Sequence, residues 1–96
     1  MYRKLRDIPE YSGGNIDGVD FEADIPVKLT TNEKLRADVM HFINGDEGYE
    51  KVDTISPDKT YRIFKITSYG DPFDVWIIND KGEEESFGEW WFEDID

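Results

Sequence analysis

The sequence predicts an α+β domain in which one amphipathic helix packs on a small antiparallel β-barrel. Three observations carry this. A single stretch has helical apolar spacing, the second half is a succession of β-branched and aromatic runs separated by turn residues, and 14 aromatics (6 Phe, 5 Tyr, 3 Trp) give a short chain enough area for one core. Ninety-six residues make a single domain, and at that length about 60–65% of the unfolded chain's surface is buried on folding.

Residues 1–28 read as an irregular arm followed by a short strand. The run Tyr11-Ser12-Gly13-Gly14-Asn15 and the pair Asp17-Gly18 are turn signals, and Val19 to Ile25 alternates as a strand does. Pro26 should close that strand or sit at its edge, because it has no N–H to give to a ladder.

The helix occupies residues 29–45. Thr30 with Glu33 three residues later forms a capping-box signature. Leu35, Val39, Phe42 and Ile43 then recur at i, i+4, i+7 and i+8, one stripe facing a core, with Lys34, Arg36 and Asp38 turned outward. Asn44-Gly45 supplies a left-handed C-terminal cap.

Residues 49–96 read as strands. A weak one lies near Tyr49 to Ile55 and stops at Ser56-Pro57-Asp58; Thr60 to Thr67 and Phe73 to Asn79 are strong. Ser68-Tyr69-Gly70-Asp71-Pro72 connects those two. Asp80-Lys81-Gly82 places a glycine where a three-residue hairpin loop needs one, so Glu83 to Phe87 is the return strand. Gly88 breaks the run, and Glu89 to Glu93 is a last strand or a single helical turn. Strand alternation there puts Trp90 and Phe92 on one face and Trp91 on the other.

The stretch YRIFKITSYGDPFDVWIINDKGEEESFGEWWFEDI resembles the compact SH3-like proteins and modules often carried by bacteriophages, in which a core strand ending in a tight turn precedes a short aromatic closing strand. The resemblance covers about half the chain. Peptide-binding SH3 domains carry an adjacent Trp pair in mid-domain with a Pro and a Tyr near the end, whereas here Trp90-Trp91 lies five residues from the last one. What it implies is therefore the fold and not the ligand.

The charge bounds the function. Against 11 Lys and Arg stand 23 Asp and Glu, a formal net charge of −12. Such a field repels phosphate backbones and anionic lipid and steers basic protein surfaces into encounter. The acids fall in two blocks. Asp7 to Val27 holds six and no base, and Asp80 to Asp96 holds eight against Lys81 alone. On a strand Glu83 and Glu85 point to one side about 6.6–6.8 Å apart, comparable to successive phosphates of a nucleic acid.

Other chemistries find little to work with. His41, beside the helical stripe, is the only histidine, and carboxylates on an open like-charged surface lack the apolar pocket that separates an acid from a base. No cysteine is present, no acidic run has the EF-hand order, and Gly13-Gly14 is a turn, not a phosphate loop. The chain is expected to have no enzymatic activity, no cofactor and no metal. With no apolar leader after Arg3, Lys4 and Arg6, it is expected in the cytoplasm.

The leading expectation is an acidic interaction protein, an inhibitor that docks on a basic surface of a host nucleic-acid-handling or defence protein. Glu83, Glu84, Glu85, Glu89, Glu93 and Asp94 would make electrostatic contact, with Trp90 or Trp91 as anchor. The rival readings are an SH3-like structural or accessory module whose charge serves solubility, and a small-ligand binder or enzyme with a pocket around His41.

Overall fold

The computed structural model describes residues 2–8, 19–68 and 73–95. The expected turns at 11–15 and 17–18 and the 69–72 part of the connector lie outside them. Strands β1 (Val19–Leu29), β2 (Thr60–Ser68), β3 (Asp74–Ile78), β4 (Glu84–Gly88) and β5 (Phe92–Asp94) form one antiparallel sheet in the order β4-β3-β2-β1-β5, with helix α1 (Glu33–Asn44) inserted between β1 and β2. One helix on a curled antiparallel sheet is the coarse architecture that the sequence predicts.

The alternation of β1 explains its place. Ala23, Ile25, Val27 and Leu29 are buried, while Asp20, Glu22 and Pro26 face out. Pro26 does not end the strand, which runs on to Leu29. At Pro26 only β2 pairs with β1, because β5 joins from Val27 onward, so a residue without an N–H is tolerated.

Core rows then cross the sheet. Phe21, Ile66, Val75 and Phe87 are successive partners on four strands, as are Ile25, Ile63 and Ile77 on three. The register slips around Phe64 against both neighbours, so Ile63 and Ile66 both point inward although they are three residues apart. Bulges of this kind bend a strand and increase its twist. They curl the sheet so that β5, arriving through the 3-10 turn Glu89–Trp91, reaches β1 and pairs Leu29 with Phe92.

Helix α1 begins two residues later than the capping-box reading. Asn32, not Thr30, is the N-cap, and its Oδ1 accepts from the amides of Lys34 (3.1 Å) and Leu35 (3.2 Å). Thr30 is buried and otherwise engaged: its amide donates to the Trp91 carbonyl at 2.9 Å and its hydroxyl accepts from the Asn32 amide at 3.2 Å. On the apolar stripe Val39 is fully buried, Phe42 and Ile43 pack partly on the core, and Leu35 is half-buried. Arg36 turns back to donate to the Thr30 carbonyl at 3.1 Å instead of pointing to solvent.

The C-terminal cap is the one the sequence predicts. Gly45 adopts φ 67, and its amide and that of Asp46 close onto Phe42 and His41 carbonyls. A Cβ on Gly45 would lie 2.9 Å from the Lys51 Cβ, whereas Gly82, at φ 80, has open space around it. Gly45→Ala should therefore cost about 1 kcal/mol or more, and clearly more than Gly82→Ala, where only backbone strain acts. Urea midpoints of the two variants test this, and equal losses would show that the contact with Lys51 contributes nothing.

The segment after the helix is not a strand. Residues 49–55 run without a ladder, tied by the Val52 amide to the Phe42 carbonyl (2.9 Å) and by the Thr54 carbonyl to the Asp80 amide (2.8 Å). The arm before β1 is also more than a tail. Tyr2 bridges Ala23, a 3-10 turn covers Leu5–Asp7, and Leu5 and Ile8 are buried in the core. No described helix is long and apolar enough to cross a membrane.

Candidate interaction surface

The eight residues singled out for contact do not form one face. Glu83 and Glu84 are exposed at the β3–β4 hairpin, and Glu83 precedes the strand, its amide held by Asn79 Oδ1 at 3.0 Å. The glycine expected in that loop is Gly82, in the left-handed region. Glu85 is half-buried and accepts from Asn79 Nδ2 at 2.9 Å, which removes it from the phosphate-like row proposed for it with Glu83.

On the opposite edge of the sheet, Glu93 and Asp94 already have partners. Glu93 Oε1 accepts from the amide and hydroxyl of Thr31, just before the helix. Asp94 Oδ1 accepts from the Leu5 amide at 2.7 Å and Oδ2 from the Arg6 amide at 3.3 Å, fastening the N-terminal arm. Glu89 is half-buried in the 3-10 turn with its amide bonded to the Phe73 carbonyl.

The tryptophans do not alternate, because Glu89–Trp91 is a 3-10 turn and strand geometry begins only at Phe92. Trp91 and Phe92 are both buried, packed through Phe87 and Phe42 at centroid distances of 4.9–5.6 Å. Trp90 is half-buried and leaves its ring edge accessible in a shallow groove beside Asn32 and Leu35. Its indole lies over Gly88, where any Cβ would come within 2.7 Å of Nε1. Of the two tryptophans, only Trp90 is placed to meet a partner.

A different set of acids does gather. Asp46, Glu47, Glu50 and Asp53 are exposed along the loop after α1, and this loop abuts the hairpin carrying Asp80, Glu83 and Glu84 through the Asp80–Thr54 backbone bond and a Lys81–Asp53 ion pair at 3.6 Å. The result is an acidic band, diluted by Lys51, Lys59 and Lys81. Between the 50–54 loop and β4 lies a groove of about 460 Å³, whose walls are residues 50–54 and 85–88 and whose floor includes Phe42 and Trp91. The buried Thr54 hydroxyl, in the loop wall, has no hydrogen-bond partner among the described residues.

At the hairpin end Asp80 anchors a polar cluster. Its Oδ1 accepts from the Tyr61 hydroxyl at 2.9 Å and its Oδ2 from the Ser56 hydroxyl at 2.8 Å, with Lys59 Nζ 3.4 Å away; the Ser56 amide donates to the Tyr61 oxygen at 2.7 Å. Burial pushes the Tyr61 hydroxyl up to about 12; the Ser56 amide works against this and the Asp80 carboxylate with it. For Asp80, burial disfavours the charge, but hydrogen bonds from Ser56, Tyr61 and Lys59 outweigh it and hold the carboxyl below the ordinary range.

His41 is exposed, stacked on Tyr49 at 5.1 Å and bonded to Asp46; none of the three grooves described includes it. Among the described residues no group of three His, Asp or Glu side chains is arranged to hold a metal ion. On the outer sheet face, Lys65 sits 4.5 Å over the Trp76 ring beside the exposed Ile78, an apolar spot the sequence reading passed over. No protein-family model matches the chain, and neither a curated protein nor a solved structure does.

Proposed function

We propose that this chain is a non-enzymatic, acidic interaction protein that docks on a basic protein surface and competes there with nucleic acid. The carrying observation is the acidic band from Asp46 through Asp53 to Glu84, exposed along the loop after α1 and the hairpin it abuts, on a scaffold with a net charge of −12. Like charges held together by a packed core repel one another until a cationic surface neutralises them, and their field accelerates that encounter. Trp90, half-buried in a separate groove beside Asn32 and Leu35, is a second candidate contact. Within this reading the sheet is an SH3-like barrel of the bacteriophage kind, supported by the tight 79–83 turn and the aromatic closing strand that returns to β1. Its target would then be a host protein that handles nucleic acid.

The test is capture of basic proteins from a bacterial lysate on the immobilised chain, with duplex DNA as competitor. Reversing Glu47, Glu83 and Glu84 to lysine should weaken capture at least about tenfold, since rim charges govern encounter and its salt dependence. DNA and salt should each release what is bound. Capture indifferent to the reversal and to salt would remove the electrostatic reading. It would leave the alternative, an accessory module of a larger assembly, which the internal use of Glu85, Glu93 and Asp94 favours because those acids serve the fold itself.

A further inference from the structure

The groove between the 50–54 loop and β4 has an unusual construction. Four consecutive residues, 85–88, line one wall, and five consecutive residues, 50–54, line the other. Side chains of neighbouring strand residues point to opposite faces, so a wall made of consecutive residues presents the backbone edge itself. Strand β4 is at the end of the sheet order, paired with β3 on one side only. Its outward N–H and C=O groups have no backbone partner among the described residues, and no hydrogen bond crosses from 50–54 to 84–88. One unpaired strand edge thus faces the 50–54 loop across an open slot.

The slot also has a chemical sense. Phe42, Phe87 and Trp91 give it an apolar floor. Glu50, Asp53 and Glu85 stand at its walls, and the one base among the lining residues, Lys51, has its stem laid against Gly45 at the helix end. An unpaired edge strand is a template for another strand, and alternate side chains of an added strand point to opposite sides.

We propose that the slot takes an extended basic segment of a partner protein, which adds as a strand to β4. Glu85 and Phe87, two residues apart, share the slot face of β4. Along that face of the added strand a Lys or Arg therefore meets Glu50 and Glu85, and the residue two positions on is apolar and rests on Phe87 and Trp91. This rests on the acidic-docking reading and gives it a geometry: backbone hydrogen bonds supply affinity, and the carboxylates select the partner's charge.

The probes are three synthetic peptides of about ten residues: a Lys–Val peptide of repeating Thr-Lys-Thr-Val, in which Lys and Val follow one another along one face, the same peptide N-methylated at every residue, and a Thr–Val peptide in which Thr replaces each Lys. Titration calorimetry gives the affinities, and amide hydrogen exchange reads the β4 backbone. Strand addition predicts that the Lys–Val peptide binds and slows exchange at Glu84, Ser86 and Gly88, whose amides face away from β3. The methylated form should bind at least about tenfold more weakly, since its lost donors leave acceptors unpaired. Glu50→Gln combined with Glu85→Gln should weaken the Lys–Val peptide severalfold without changing the fold, since the Gln amide oxygen still accepts from Asn79 Nδ2.

Equal binding of the methylated and unmethylated peptides, both lost in salt, would overturn strand addition while leaving the electrostatic function standing. Equal binding of the Thr–Val peptide would overturn the basic class of the partner. No binding of any peptide would overturn the inference alone if basic proteins are still captured, and together with the proposed function if they are not.

Discussion

Truncating Leu5 to alanine should lower the unfolding free energy by about 2–5 kcal/mol, the range for removing a fully buried leucine side chain. Out of a total of about 5–15 kcal/mol for a domain, that is a severe loss for a substitution in the fifth residue of a charged arm. The physical reason is that Leu5 is 0% exposed, and the turn that carries it is fixed from the far end of the chain, where Asp94 accepts the Leu5 and Arg6 amides. Asp94→Ala should reproduce part of the loss, about 1–2 kcal/mol, by freeing those two donors. Arg3→Ala is the control: its guanidinium is exposed and only 3.9 Å from an Asp24 oxygen, an arrangement worth at most about 1 kcal/mol. Urea unfolding followed by tryptophan fluorescence measures all three. A Leu5→Ala midpoint matching that of Arg3→Ala would show that the arm is not part of the core.

That arm marks the limit of what one sequence reveals. Elements with a local signature were legible: the stripe from Leu35 to Ile43, the Gly45 cap, the alternation in β1, and the glycine of the 79–83 hairpin all depend on residues within a few positions of one another. Features decided across the chain were not. Leu5 and Ile8 show no period, since they meet the core singly. Thr30 and Asn32 are both good caps two residues apart, and only the Trp91 carbonyl, which takes the Thr30 amide, leaves the cap to Asn32. The 49–55 segment has strand-forming residues but no ladder partner, because the Val52 amide is spent on Phe42.

The same division separates the acids. Glu93 and Asp94 look like surplus charge in a terminal acidic block, yet each closes a contact with residues more than sixty positions away. Composition correctly sets the sign of the surface, but which carboxylates remain for a partner depends on which ones folding has already engaged. One band of exposed acids joins the loop after the helix, Asp46 to Asp53, to Glu83 and Glu84 of the terminal block, while Asp20, Glu22, Glu33, Asp38, Asp58 and Asp74 are exposed elsewhere. The slot beside β4 was invisible for a related reason: its walls come from a segment that resembles a strand and from an edge that exists only once the sheet order is known.

Tyr61→Phe should cost about 1–3 kcal/mol near neutral pH, because it removes a hydroxyl that both accepts from the Ser56 amide and donates to Asp80, leaving a donor and a carboxylate without that partner. Its pH dependence distinguishes it from a simple loss of packing. The Tyr61 pKa is raised to about 12 from 10.0, so the folded state holds its proton more tightly than the unfolded chain does. The stabilisation is fully present below pH 10 and is lost as pH rises toward 12. Asp80 is lowered from 3.8, so its contribution is present above that pH and is lost as pH falls below it. The difference in stability between the native protein and Tyr61→Phe should therefore form a plateau across the neutral range. It should fall away on the alkaline side in the window set by Tyr61, and Asp80→Asn should flatten the acid limb. An alkaline absorbance titration gives the independent reading, with a phenol ionising at about pH 12 that is absent from Tyr61→Phe. A stability difference unchanged from neutral pH to pH 12 would mean that the Tyr61 hydroxyl contributes by shape alone, and that the hairpin end is held by the Ser56 and Lys59 contacts to Asp80 without it.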